Sequence, residues 1–144
     1  MDVATMDGGL WGLFISSFLA ATILPFSSEA VLAAMALGPW STSLLWTVAS
    51  TGNWLGGMSC YGIGRMGRLD RISSWLRMDP EKAIRSQQRV EKHGAWLALL
   101  TWVPLIGDPL AVALGLGRAR AVPVAILMFV GKALRYMLVL AALR

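Results

Sequence analysis

The sequence predicts an all-α integral membrane protein, an inverted repeat of a re-entrant helical hairpin plus a transmembrane helix, with a basic cytoplasmic helical loop between the halves. Three observations carry that reading. First, 56% of the 144 residues are apolar and only 15% are charged, where a soluble domain carries about 25% charge. Second, no Lys or Arg precedes Arg65, while eight of the thirteen fall between Arg65 and Lys92. A net charge of +5 spread over a surface would suit nucleic acid. Gathered into one loop between nearly uncharged blocks, it is the positive-inside pattern of a membrane protein, and no nucleic-acid partner is expected. Third, the pattern Pro-x3-acid-x8-Gly occurs twice, 79 residues apart. One domain is expected over 1–144, with 1–64 as the first repeat, 65–93 as the linker and 94–144 as the inverted second repeat.

Leu10 to Leu24 is apolar, Pro25-Phe26-Ser27-Ser28-Glu29 interrupts, and Ala30 to Leu37 is apolar again up to Gly38-Pro39. Fifteen helical residues rise about 22 Å, short of the roughly 30 Å hydrocarbon core, and the second arm is shorter still. Pro25 lacks an N–H and disfavours helix at Leu24, so the segment should break there. Two short arms around a polar break suit a re-entrant hairpin, which lipid tolerates only where the backbone is buried in protein or lines a watery cavity. Asp2 and Asp7 stand where a secretory signal would be basic, so this segment is expected to be retained.

Leu44 to Ile63 holds twenty uncharged residues, enough for one span. Gly52-x-x-x-Gly56 offers a small-residue face for close helix contact, and Asn53 is expected to hydrogen-bond inside the bundle. Leu69, Ile72, Trp75 and Leu76, set among Arg68, Arg71 and Arg77, suit a short helix in the headgroup plane. Asp79-Pro80-Glu81 then reads as N-cap, N1 and acidic first turn of a polar helix ending near Gly94. Ala95 to Val103 is apolar; Pro104, Gly107 and Pro109 break it, and Leu110 to Leu116 resumes. Ala121 to Leu143 is long enough to span despite Lys132 and Arg135.

At the 79-residue offset Pro25 falls on Pro104, Glu29 on Asp108, Gly38 on Gly117, Asn53 on Lys132 and Gly56 on Arg135. With the basic loop cytoplasmic, the first hairpin enters from outside and the second from the cytoplasm, where Arg118 and Arg120 also fall. Paired broken helices of opposite orientation are a secondary-transporter architecture, with the site near the midplane at the breaks.

Glu29, Asp108, Lys132 and Arg135 are the charges inside the apolar blocks, and each costs at least about 2.5–3.5 kcal/mol at mid-bilayer. Two readings follow. The four form structural salt bridges between the repeats, or they line a solvated site where the acids exchange protons and the bases bind an anion. Other features carry less. Gly62-x-Gly64-Arg65-x-Gly67 has neither the preceding strand nor the following Lys-Ser/Thr of a phosphate loop. His93 lacks catalytic partners, and Ser27 and Ser28 suit helix capping better than nucleophilic attack. Trp11, Trp40 and Trp75 are expected in the interfacial belts. Cys60 is alone, and no metal-ligand spacing or cofactor motif occurs.

Four blocks together resemble the DedA superfamily, in particular its short branch of bacterial inner-membrane proteins. They are Leu24-Pro25-Phe26-Ser27-Ser28-Glu29, the run from Gly57 to Gly67, the run from Trp102 to Pro109, and Gly131-Lys132-Ala133-Leu134-Arg135-Tyr136. The resemblance, over about residues 10–143, implies two oppositely oriented re-entrant helices with spanning helices. It also implies movement of lipid across the bilayer: undecaprenyl phosphate in bacteria, coupled to an ion or proton gradient, and phospholipids in eukaryotic relatives. Glu29 and Asp108 match the acidic positions of the re-entrant tips. Larger members carry an Arg-aromatic-x-Pro-x-x-Arg block, whose arginine places here are Thr101 and Gly107.

The expected function is thus a small inner-membrane transporter or flippase for an anionic lipid, with Glu29 and Asp108 handling protons. Lys132 and Arg135 would bind the headgroup, with Asn53, Ser28 and the boundary residue Arg65 assisting. The alternatives are a transporter or channel for a small ion or polar solute, and a non-transporting scaffold. An enzyme is not expected, since no complete catalytic constellation occurs. The partners expected are membrane lipids, protons and a second copy of the chain, because four short membrane elements hardly enclose a lipid path.

Overall fold

The computed structural model describes residues 3–22, 27–67, 80–104 and 106–143. Every element among them is helical: α1 (Val3–Ala20), α2 (Ser28–Ala36), α3 (Thr42–Met66), α4 (Pro80–His93), a 3-10 arm (Gly94–Trp102), α5 (Gly107–Leu116) and α6 (Ala121–Ala142). The expected break at Pro25 and the headgroup helix with Arg68, Arg71, Trp75 and Arg77 lie outside the described residues, as does Asp79.

The frame is the antiparallel pair α3 and α6. Trp46 Nε1 donates to Ala133 O at 2.8 Å, and Trp54 Nε1 donates to Ala125 O at 2.9 Å. Ala125 and Ala133 stand 79 residues after Trp46 and Trp54, so each indole bonds the carbonyl at the other's counterpart. Trp46→Phe and Trp54→Phe are each expected to cost about 1 kcal/mol, the net worth of one hydrogen bond. Unfolding in mixed micelles should give equal losses if the two ends of the frame are equivalent.

α1 lies parallel to α3 in backbone contact. A Cβ at Gly52 would stand 2.6 Å from Phe14 O, and one at Gly56 would fall against Phe18 O. The small-residue face read from the sequence is used as expected. However, α1 begins at Val3, seven residues before the expected start, and its 18 residues rise about 27 Å. Gly8, Gly9 and Gly12 do not delay it, because a helix is held by what it packs on more than by propensity. Gly9 is where the ring of Trp40 closes over it. The first arm is therefore longer than predicted. α2 starts as expected, with Ser27 Oγ accepting from Ala30 N at 3.3 Å.

The second arm differs in kind. Gly94–Trp102 winds as a 3-10 helix, longer than such runs usually are. Register explains it. Leu99 O meets Gly131, and Trp102 O accepts Arg135 Nη1 at 3.2 Å. Three 3-10 residues and four α residues both rise about 6 Å, so one turn of the arm keeps step with one turn of α6. Gly107 and Pro109 were expected to break the chain, and both belong instead to the first turn of α5. Proline is tolerated there, since the first turn has no intrahelical acceptor for its missing N–H. Only Pro104 lies in the intervening turn. Gly107 must be glycine, as Thr101 O occupies the place of its Cβ.

α5 and α3 touch backbone to backbone, with Gly64 against Val112 O and Gly115 against Tyr61 O. Two apolar clusters result. One joins Cys60, Tyr61, Ala98, Ala111, Leu114, Val124 and Met128; the other joins Leu13, Leu32, Leu45, Ala49, Tyr136 and Leu140. The surface is apolar in turn: Trp11, Ile63, Trp96, Val122, Ile126 and Leu138 are all more than half exposed. Buried polar groups inside an apolar exterior suit a lipid surround. Among the described residues α6 is the one helix both long and apolar enough to cross a membrane. α3 has the length, but its glycines, serines and Asn53 dilute its hydropathy.

Candidate functional site

Between the two apolar clusters lies a polar layer. Asn53 and Lys132 are each the twelfth residue of their helices, the middle of α3 and of α6. Lys132, 2% exposed, donates from Nζ to Asn53 Oδ1 at 2.5 Å. Asn53 Nδ2 donates in turn to Ser17 O at 3.0 Å. Gly57 makes room for the lysine stem, since a Cβ there would stand 2.9 Å from Lys132 Cε. Asp108, second residue of α5, brings Oδ1 to 3.8 Å from Lys132 Nζ.

Glu29, second residue of α2, is held more tightly. Arg135 Nε donates to its Oε1 at 2.7 Å and Arg135 Nη2 donates to the same oxygen. Both acids thus sit in the first turn of a short helix, where the aligned peptide dipoles favour negative charge. Arg135 also donates to Trp102 O, so it ties α2, the 3-10 arm and α6 together. Ser28 and Tyr136 share a hydrogen bond of 2.7 Å between their hydroxyls. Ser17 lies beside that tyrosine hydroxyl without completing a hydrogen bond, and the buried Ser50 hydroxyl makes none among the described residues.

The structure therefore brings Glu29, Asp108, Asn53, Ser28, Lys132 and Arg135 into one layer. It does not bring Arg65 there. Twelve residues, or about 18 Å of helix, separate Arg65 from Asn53. Its Nη1 donates to Tyr61 Oη at 2.7 Å and to Ala119 O at 3.2 Å, and Tyr61 donates to the same carbonyl. Arg65 braces the turn between α5 and α6. Tyr136, Ser17 and Ser50 were missed by sequence reasoning. Tyr136 was legible, being one turn along α6 from Lys132, but serines within apolar helices carry no periodic signal. Beyond the Trp46 indole a cavity of about 440 Å³, almost wholly apolar, opens between α3 and α6, lined by Thr42, Ser43, Trp46, Met137, Leu140 and Ala141.

Residues 24–144 match the VTT domain. The chain is 42% identical over 137 residues to the inner membrane protein YqaA of Escherichia coli (strain K12), covering 92% of this chain and 89% of that protein. YqaA of Shigella flexneri matches to the same extent. An uncharacterized protein of Haemophilus influenzae is 32% identical over 139 residues, 89% of this chain and 83% of the relative. No solved structure matches. The chain belongs to the VTT-domain family, within the DedA superfamily that its four sequence blocks resemble.

Proposed function

We propose that the protein is a multi-pass bacterial inner-membrane transporter or flippase that moves an anionic lipid, coupled to protons through the acids of the central layer. The observation that carries this is the layer itself: two acids and two bases, all within apolar helices and all gathered at the midpoint of the α3–α6 frame. Intramembrane ionisable groups are functional candidates by default. Family membership and the resemblance point to lipid, with undecaprenyl phosphate the substrate class that the resemblance names. The headgroup would be held by Lys132 and Arg135, with Asn53 and Ser28 completing the layer, and its chain would enter by the apolar cavity beside Trp46.

The halves are proposed as inverted repeats with re-entrant tips, and the loop 65–93 as cytoplasmic. Support comes from the crossed tryptophan bonds and from the Asn53–Lys132 bond, which joins residues that are each other's counterparts at the 79-residue offset. Gly52 and Gly131, again 79 apart, both press on a carbonyl of their own first arm. Alternating exposure would then come from motion of one half against the other, and a second copy of the chain would complete the lipid path.

Proteoliposomes carrying a fluorescent lipid phosphate test the reading. Glu29→Gln and Asp108→Asn should each slow lipid movement at least tenfold, and loss of its pH dependence in either variant marks that acid as the proton carrier. Unchanged movement in both would sink the proton role, and ion flux without lipid movement would favour a channel. A scaffold reading draws on one observation, that every one of the four charges already has a partner.

A further inference from the structure

We propose that Asp108 and Lys132 form an electroneutral coupling centre, in which Asp108 takes up one proton for each negative headgroup charge that Lys132 receives. This rests on the anion-transport reading of the layer, and it assigns the two ion pairs different work.

The pairs are not equivalent. Glu29 accepts two guanidinium N–H bonds and stays locked to Arg135. The counterpart of Arg135 in the first half is Gly56, and Phe18 O leaves no space there for any side chain. Asp108 therefore has no arginine of its own, and at 3.8 Å it is in Coulombic reach of Lys132 without a hydrogen bond. The lysine's short bond goes instead to Asn53, a neutral partner. An ammonium is a compact charge with three donors on a flexible stem. It can turn from Asp108 toward a headgroup while keeping Asn53.

Charge accounting fixes the stoichiometry. Among the described residues, the charged and titratable groups acting on Asp108 are Lys132 and Arg135, and those acting on Lys132 are Asp108, Arg135 and Cys60. Arg135 is cancelled by Glu29, and Cys60 holds its proton toward Ala21 O. With Asp108 ionised the layer is neutral and offers an anion nothing. With the proton on an Asp108 oxygen, an ammonium at Lys132 is left at 2% exposure with only the neutral Asn53 beside it, and an unpaired buried charge is unfavourable unless an anion joins it. Proton and anion enter together and leave together, no covalent bond changes, and the centre is neutral both loaded and empty. The ligand class is a singly charged phosphate ester, lipid-borne or free.

Thermal melts of the purified protein in detergent decide, read with two phosphodiesters that do not titrate between pH 5 and 8: dihexanoyl phosphatidylglycerol and dimethyl phosphate. For the wild type, apparent anion affinity should fall tenfold per pH unit above the Asp108 titration, the slope of one linked proton. Asp108→Asn should hold its pH 5 affinity to a higher pH than the wild type does, and Lys132→Met should bind at neither pH 5 nor pH 8. Preference for the first probe identifies a lipid source, and equal binding a free phosphate. PH-independent wild-type affinity, or no anion binding at all, overturns the centre. If Asp108→Asn does not fold, the wild-type slope and Lys132→Met still decide. The correct slope without lipid movement in vesicles would keep the centre and sink the transport reading.

Discussion

Gly115→Leu and Gly64→Leu are expected to abolish accumulation of folded protein. A Cβ at Gly115 would fall on Tyr61 O and 2.7 Å from Arg65 N, and one at Gly64 would fall on Val112 O and 2.9 Å from its carbonyl carbon. Overpacking a core costs about 1–3 kcal/mol when side chains can shift. Here every obstacle is backbone, so α5 as a whole must back away from α3. It would carry Asp108 with it, since that residue lies in the first turn of the helix, and would leave Lys132 with Asn53 alone. The loss should therefore exceed that range. Size-exclusion profiles of fluorescent fusions give the readout, with Gly62→Leu as the control on the same helix, because nothing lies within 4 Å of a Cβ there. A Gly115→Leu protein that elutes and melts like wild type would show that the close α3–α5 approach is not needed for folding.

That contact also marks where the sequence was and was not legible. α2, α3 and α6 begin and end within three residues of their predicted limits, because each is bounded by a polar or glycine-proline interruption that composition reveals. The gathering of Glu29, Asp108, Lys132 and Arg135 was legible for an energetic reason: lone charges in apolar helices need partners. Their assignment, Glu29 to Arg135 and Asp108 to Lys132, was not. It depends on Gly56 having no side chain and on Gly57 leaving room for the lysine stem. The 3-10 winding of Gly94–Trp102 was hidden too, since it follows from the register between that arm and α6 and from nothing within Gly-Ala-Trp-Leu-Ala-Leu-Leu-Thr-Trp. Arg65 stands at the boundary where the sequence put it, but its bonds to Tyr61 and Ala119 are set by the turn after α5 and were not legible.

Arg135→Leu is expected to destabilise the protein by about 3 kcal/mol, while the double variant Glu29→Leu/Arg135→Leu recovers most of the loss. Breaking a buried ion pair by removing one partner costs about 3–5 kcal/mol, whereas replacing both by apolar groups is often neutral. The lower end applies because the Glu29 side chain is 37% exposed. The single variant leaves that carboxylate and Trp102 O without their donors; the double variant leaves only the carbonyl. For the same reason the exchanged pair, Glu29→Arg with Arg135→Glu, should recover less than the leucine pair, because a carboxylate at 135 would face Trp102 O. Unfolding in mixed micelles measures all four proteins as a cycle, and lipid movement in vesicles is read on the same preparations. A leucine pair that is stable but inactive makes this ion pair part of the moving machinery. A leucine pair restored in both makes it a clamp, and leaves transport to Asp108 and Lys132.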